Sequence, residues 1–138
     1  MRILALLGST VCGYPDGLPV SFPKVPSAVT VGSYDGLHVG HRNIIEETIR
    51  QARSNGLRSV VVTFEPHPRL VLDRRSECPV RLLTTLDEKL AHLEAMGVDL
   101  VLVVRFDREF ADRSSEWFIR EILAGLLDSR HVVIGYDH

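Results

Sequence analysis

The stretch most able to do chemistry is VTVGSYDGLHVGH, residues 29–41. A β-branched run ends at Gly32, a turn of small and polar residues follows (Ser33, Tyr34, Asp35, Gly36), and a helical pattern begins near His38. Glycines at 32, 36 and 40 let the backbone take positive φ or approach a ligand closely. A helix starting here points unpaired N–H groups, and about half a positive charge, into the crevice at the end of a strand. That is a ready phosphate site. His38 and His41 are three residues apart and share one face of the first helical turn. Two such imidazoles can donate hydrogen bonds to phosphoryl oxygens. They can also stabilise the charge that develops when an α-phosphate is attacked and pyrophosphate leaves. Two plainer readings stand beside this one: a pair of helix-surface histidines, or two ligands of a zinc site. The second needs a third ligand and an open position, and no HExxH pattern supplies one. The glycine spacing is neither a GxxxxGKS/T phosphate loop nor GxGxxG.

A second stretch is TFEPHP, residues 63–68. Each residue before a proline is pushed into extended conformation, which stiffens the loop. Phe64, Pro66 and Pro68 then offer flat apolar surface suited to stacking on a planar ring, although a rigid loop without ligand contact would read the same way. Asp137 follows the last β-branched run and is either a further polar contact or a solvated carboxylate.

The elements that must position these residues are legible as alternating short β-branched runs and longer amphipathic stretches. Strands are expected at 28–31, 58–64, 100–106 and 131–136, and helices at 37–54, 86–96 and 115–127. Near-continuous Val/Ile runs suit parallel strands covered on both faces, and the alternation spells βαβ units. Asn55-Gly56 is a stop for the first helix. Thr85 with Glu88 forms a capping box for the second, and Gly97 ends it. Ser114 is the expected N-cap of the third. Phe106, Phe110 and Trp117 read as packing residues, His92 as helix surface, and residues 107–109 as a charged loop. The first 27 residues read as a flanking segment, with residues 2–7 an edge or flanking strand.

Composition narrows the class. The chain has 138 residues, 45% hydrophobic and 25% charged, an ordinary globular mixture. A formal net charge of −2 gives no electrostatic footprint for nucleic acid. Cys12 and Cys78 form no CxxC, which argues against a disulfide framework and for a reducing cytoplasm. The apolar run at residues 3–7 is far too short to span a membrane.

Residues 32–41 resemble the pattern G-x-F/Y-D-G-x-H-x-G-H of the FMN adenylyltransferase module in bacterial bifunctional riboflavin kinase/FMN adenylyltransferases, within the HxGH nucleotidylyltransferase superfamily. Residues 63–68 are similar to that family's TFxPHP, 83–89 to LTTxxEK, 106–111 to FDxxFA, and 132–137 to its VVGxDF strand. The resemblance implies an α/β fold: a Rossmann-like, doubly wound parallel sheet with ligands at its carboxyl edge. It also implies the reaction ATP + FMN → FAD + pyrophosphate, with Mg²⁺ accompanying ATP. His38 and His41 would be catalytic, and Gly32, Ser33, Tyr34, Asp35, Gly36 and Gly40 would bind the nucleotide. Phe64, Pro66, His67, Pro68 and Asp137 would bind flavin. The family pattern continues with an ISSTxxR-type segment and a riboflavin kinase domain. The expected organisation is therefore a flanking segment 1–27 and an adenylyltransferase domain 28–138, incomplete at its C-terminus and without the kinase domain. Such a chain is expected to bind ATP or FMN weakly and to turn over little. Two competing expectations are another HxGH adenylyl- or cytidylyltransferase, which TFEPHP argues against, and a nucleotide- or flavin-binding module without turnover.

Overall fold

A computed structural model describes residues 1–34, 39–65 and 85–134. Within them lies one six-stranded sheet. Its strands are β1 (Arg2–Leu7), β2 (Thr10–Gly13), β3 (Ser27–Val31), β4 (Arg58–Glu65), β5 (Leu100–Arg105) and β6 (Ser129–Val133). The spatial order is β2-β1-β5-β4-β3-β6. Only the β1–β2 hairpin is antiparallel; β1–β5, β5–β4, β4–β3 and β3–β6 are all parallel. The helices are α1 (Val39–Ser54), α2 (Leu86–Met96), α3 (Arg108–Ala111) and α4 (Ser115–Trp117), the last continuing as a π-helical segment, Phe118–Leu126.

Strand alternation divides the core into two layers. Val29, Val60, Val62, Leu100, Leu102 and Val104 pack with Ile122, Leu123 and Leu127 of the π-helical side. Val61, Val101 and Val103 pack with Ile45 and Ile49 of α1 and Leu90 and Leu93 of α2. Both faces are covered, which is why these strands carry almost unbroken apolar runs.

The helix signals act as the sequence predicts. Thr85 and Glu88 make a reciprocal capping box, and Gly97 closes α2 in the left-handed region at φ 94°. Gly56, at φ 64°, turns the chain out of α1. Ser114 accepts a hydrogen bond from the Trp117 amide at 3.0 Å, but the expected α-helix then widens. Leu127 N donates to Ile122 O, five residues back, at 3.0 Å. The core-facing pairs Phe118/Leu123 and Ile122/Leu127 share that five-residue spacing. The packing stripe and the wider turn therefore agree.

Two expectations are corrected. Residues 2–7 do form a strand, but not an edge one: β1 lies between β2 and β5, with Leu4, Ala5 and Leu6 buried. Gly8, at φ 66°, lets the chain fold back into the short β2, which covers the flank of β1. The strand expected at 131–136 begins two residues earlier, as β6 at Ser129–Val133; it ends the strand order and pairs only with β3 among the described residues.

The topology singles out one place. From β3 the chain passes through α1 to β4 on one side and later returns from β5 to β6 on the other. The carboxyl end of β3 is therefore the topological switch point, the usual position of ligand crevices in open α/β sheets.

Candidate functional site

The turn after β3 is held from below by three side chains. Gly32 N donates to Val62 O at 3.0 Å and ends the ladder. Tyr34 then adopts a left-handed φ of 50°, unusual for a bulky residue. Its ring is only 4% exposed, its hydroxyl bonds the Thr30 hydroxyl, and the His41 ring meets it edge-on at 5.2 Å. Burial raises the Tyr34 pKa, with the Thr30 bond acting in the opposite direction, so the phenol is neutral at ordinary pH. The ring also explains Gly32: a Cβ there would lie 2.9 Å from Tyr34 Cζ. Lys89 reaches up from α2, and its Nζ donates to the Ser33 carbonyl and, at 3.1 Å, to Thr63 Oγ1. The Thr63 hydroxyl donates in turn to the Ser33 carbonyl at 3.1 Å. The first turn of α1, which begins at Val39, carries Gly40 and the half-buried His41. N–H groups and the positive end of the helix dipole gather there.

On the opposite face of the sheet, the same edge opens into a cavity of about 850 Å³. Val31, Gly32 and Ser33 form one wall, Phe64 and Phe106 another, and Phe110, Trp117 and Phe118 a third. Phe110 is the hub, with ring centroids of Phe64, Phe106, Phe118 and Trp117 at 5.9, 5.6, 6.0 and 6.1 Å. These tilted and edge-on contacts are the favoured aromatic geometries. Phe106 comes from the end of β5. Phe110 is set by the N-cap of α3, where Asp107 accepts from the Phe110 amide at 2.8 Å. That bond, and then the Arg105 guanidinium 3.1 Å away, hold the Asp107 carboxyl below its ordinary range. Arg113 lies 4.2 Å over the Trp117 ring and pairs with Glu109 at 3.4 Å.

The structure thus brings Gly32, Ser33, Phe64 and His41 to one edge of the sheet, on the two sides of a single turn. The Tyr34 side chain is directed into the α1/α2 layer rather than into the cavity. Asp35, Gly36, His38, Pro66, His67, Pro68 and Asp137 lie outside the described residues. Four contributors escaped the sequence reading as site residues. Lys89 was hidden behind the capping box beside it. Yet Lys89 lies three residues after Leu86 and four before Leu93, on the apolar stripe of α2, and a charged residue on such a stripe is a signal. Phe106 and Phe110, read as packing residues, do pack on each other but also line the cavity. Trp117, read as core, is half-buried at the cavity wall. Among the described residues no cluster of three or more His, Cys, Asp or Glu could hold a metal ion, and no helix is long and apolar enough to cross a membrane.

Comparison with known proteins places this geometry in context. Residues 23–138 match the family model described as FAD synthetase. The chain is 38% identical over 114 residues to the bifunctional riboflavin kinase/FMN adenylyltransferase of Bacillus subtilis, covering 83% of this chain and 35% of that protein. It is 39% identical over 115 residues to the Escherichia coli protein of the same name, covering 83% and 36%. The chain thus spans about a third of the length of these curated relatives. Among solved structures, a Streptococcus pneumoniae chain titled as a macrolide-efflux protein superposes with a TM-score of 0.69 at 24% identity, covering 86% of this chain and 38% of that one. That likeness concerns the fold alone.

Proposed function

The chain belongs to the FAD synthetase family, and on that premise we propose that it houses an FMN adenylyltransferase site, where AMP passes from ATP to FMN to give FAD and pyrophosphate. One observation carries this reading: Gly32 and Ser33 both begin the helix-directed turn and wall the aromatic cavity. A phosphate-binding turn and a slot for a planar apolar ring therefore share two residues. A substrate that is a flat ring ending in a phosphate would engage both at once.

In this reading the isoalloxazine ring lies among Phe64, Phe106, Phe110 and Trp117, and the resemblance adds Pro66, His67, Pro68 and Asp137 to that side. The FMN phosphate oxygen attacks the α-phosphorus of ATP, and the bond from that phosphorus to the bridging oxygen breaks. The oxygen leaves with the electron pair as part of pyrophosphate. The N–H groups of the turn and the start of α1 hold the phosphate chain, and the resemblance adds Asp35, Gly36 and Gly40 to the nucleotide-binding side. His38 and His41 donate to the phosphoryl oxygens as charge develops. The edge-on contact with Tyr34 fixes the plane of the His41 ring. Mg²⁺ would accompany ATP, neutralising charge on its phosphates. ATP and FMN are the proposed ligands, and the cytoplasm the proposed location.

The test mixes the chain with ATP and FMN and measures FAD and pyrophosphate together; even slow release suffices. The expected result is equal amounts of both, lowered about a hundredfold in His41→Ala with FMN binding retained, the loss typical of one preorganised donor. Pyrophosphate release with another acceptor and not with FMN would assign the site to a different HxGH transferase. Binding of both ligands without any release would leave only a binding module.

A further inference from the structure

We propose that Lys89 is a positioning residue for the phosphate turn: a buried ammonium that fixes the direction of the Ser33–Tyr34 peptide from beneath. The inference rests on the turn being the phosphate site proposed above. Lys89 is 4% exposed, on α2 beside a mainly apolar layer that includes Ile45, Ile49, Val61, Leu90 and Leu93. An ammonium ion in such surroundings is costly unless it is hydrogen-bonded.

Where its donors go suggests what the lysine does. Nζ donates to the Ser33 carbonyl and to Thr63 Oγ1, and the Thr63 hydroxyl donates to that same carbonyl at 3.1 Å. One carbonyl oxygen thus accepts two donors and has both lone pairs occupied. A trans peptide is planar and carries its N–H opposite its C=O. Pinning the Ser33 oxygen toward α2 therefore directs the Tyr34 amide away from α2. This also holds Tyr34 at its left-handed φ of 50°, a conformation that persists only where surrounding contacts enforce it.

The experiment follows backbone amide resonances of the full chain by NMR, first alone and then titrated with inorganic tripolyphosphate and, separately, with FMN. Lys89→Met keeps the length and the apolar stem but removes the charge and donors. The expected result is a folded spectrum with displaced amides at 32–34 and 41. Tripolyphosphate affinity should fall about tenfold, equivalent to about 1.4 kcal/mol, while FMN-induced shifts at Phe106, Phe110 and Trp117 persist. A purely structural lysine would instead weaken both ligands together or neither. Should Lys89→Met fail to fold, Thr63→Val keeps the charge, removes one of the two donors to Ser33, and should displace the same amides by less. Unmoved turn amides in Thr63→Val, or turn amides and tripolyphosphate affinity within twofold of wild type in Lys89→Met, would overturn the proposal. If wild type itself shows no tripolyphosphate shifts at the turn, the phosphate-site reading fails, and the ligand-free displacement still reports on Lys89.

Discussion

On the face covered by α1 and α2, two of the sheet's hydroxyls and one buried ammonium are drawn toward a single turn. Thr30 bonds Tyr34, and Thr63 with Lys89 bonds Ser33. On the face covered by the π-helical segment, the same sheet edge carries rings that meet mostly edge-on around a cavity of about 850 Å³. The first arrangement makes a backbone rigid, and the second leaves room for a flat guest. The two meet at Gly32 and Ser33, and the difference teaches how one sheet edge can hold a braced turn on one face and a cavity roomy enough for a large ring on the other, the pairing that the proposed phosphate and flavin sites require.

Substitutions should separate the faces. Leu93→Ala, at a fully buried position of the α1/α2 layer, should cost about 3 kcal/mol of stability in urea unfolding. A cost under 1 kcal/mol would mean that this layer is loosely packed. Gly32→Ala should cost about 2 kcal/mol, because the new Cβ meets the Tyr34 ring at 2.9 Å; wild-type stability would show that the ring yields. Phe110→Ala, on the other face, should raise the FMN dissociation constant about tenfold, or about 1.4 kcal/mol. Its effect on stability should be smaller than that of Leu93→Ala, since Phe110 is half-buried. The reverse ranking would assign Phe110 to the core and not to the ligand.

The smaller effects concern the phenol. Tyr34→Phe removes the bond to Thr30 and should cost about 1 kcal/mol, measured by unfolding. It should also change the alkaline limb. Burial raises the folded-state pKa of Tyr34 above its ordinary 10.0. Between that value and the folded pKa, the folded protein holds a proton that the unfolded chain has lost. The contribution of Tyr34 to stability should therefore be level below pH 10.0 and fall above it, and Tyr34→Phe should flatten part of the alkaline fall.

Much of this was readable before the structure, and the reasons are local. The β3–turn–α1 unit, the capping box at Thr85 and Glu88, and Gly97 are each specified by residues within a few positions of one another. The unread features are set by distant partners. Strand β2 has four residues and exists because β1 offers it an edge. Lys89 finds its acceptors 26 and 56 residues away in sequence. The cavity needs Phe64, Phe106, Phe110 and Trp117 to converge from four separate elements or loops, which no window of sequence displays.

The most direct test uses Trp117, the chain's single tryptophan, which stands in the cavity wall. Its fluorescence is titrated with FMN, corrected for flavin absorption, and with ATP as the comparison ligand. A flavin seated in the cavity predicts saturable quenching by FMN, reduced in Phe110→Ala, with little quenching by ATP alone. The absence of saturable quenching by FMN, or equal quenching by ATP, would contradict a flavin site on this face of the sheet.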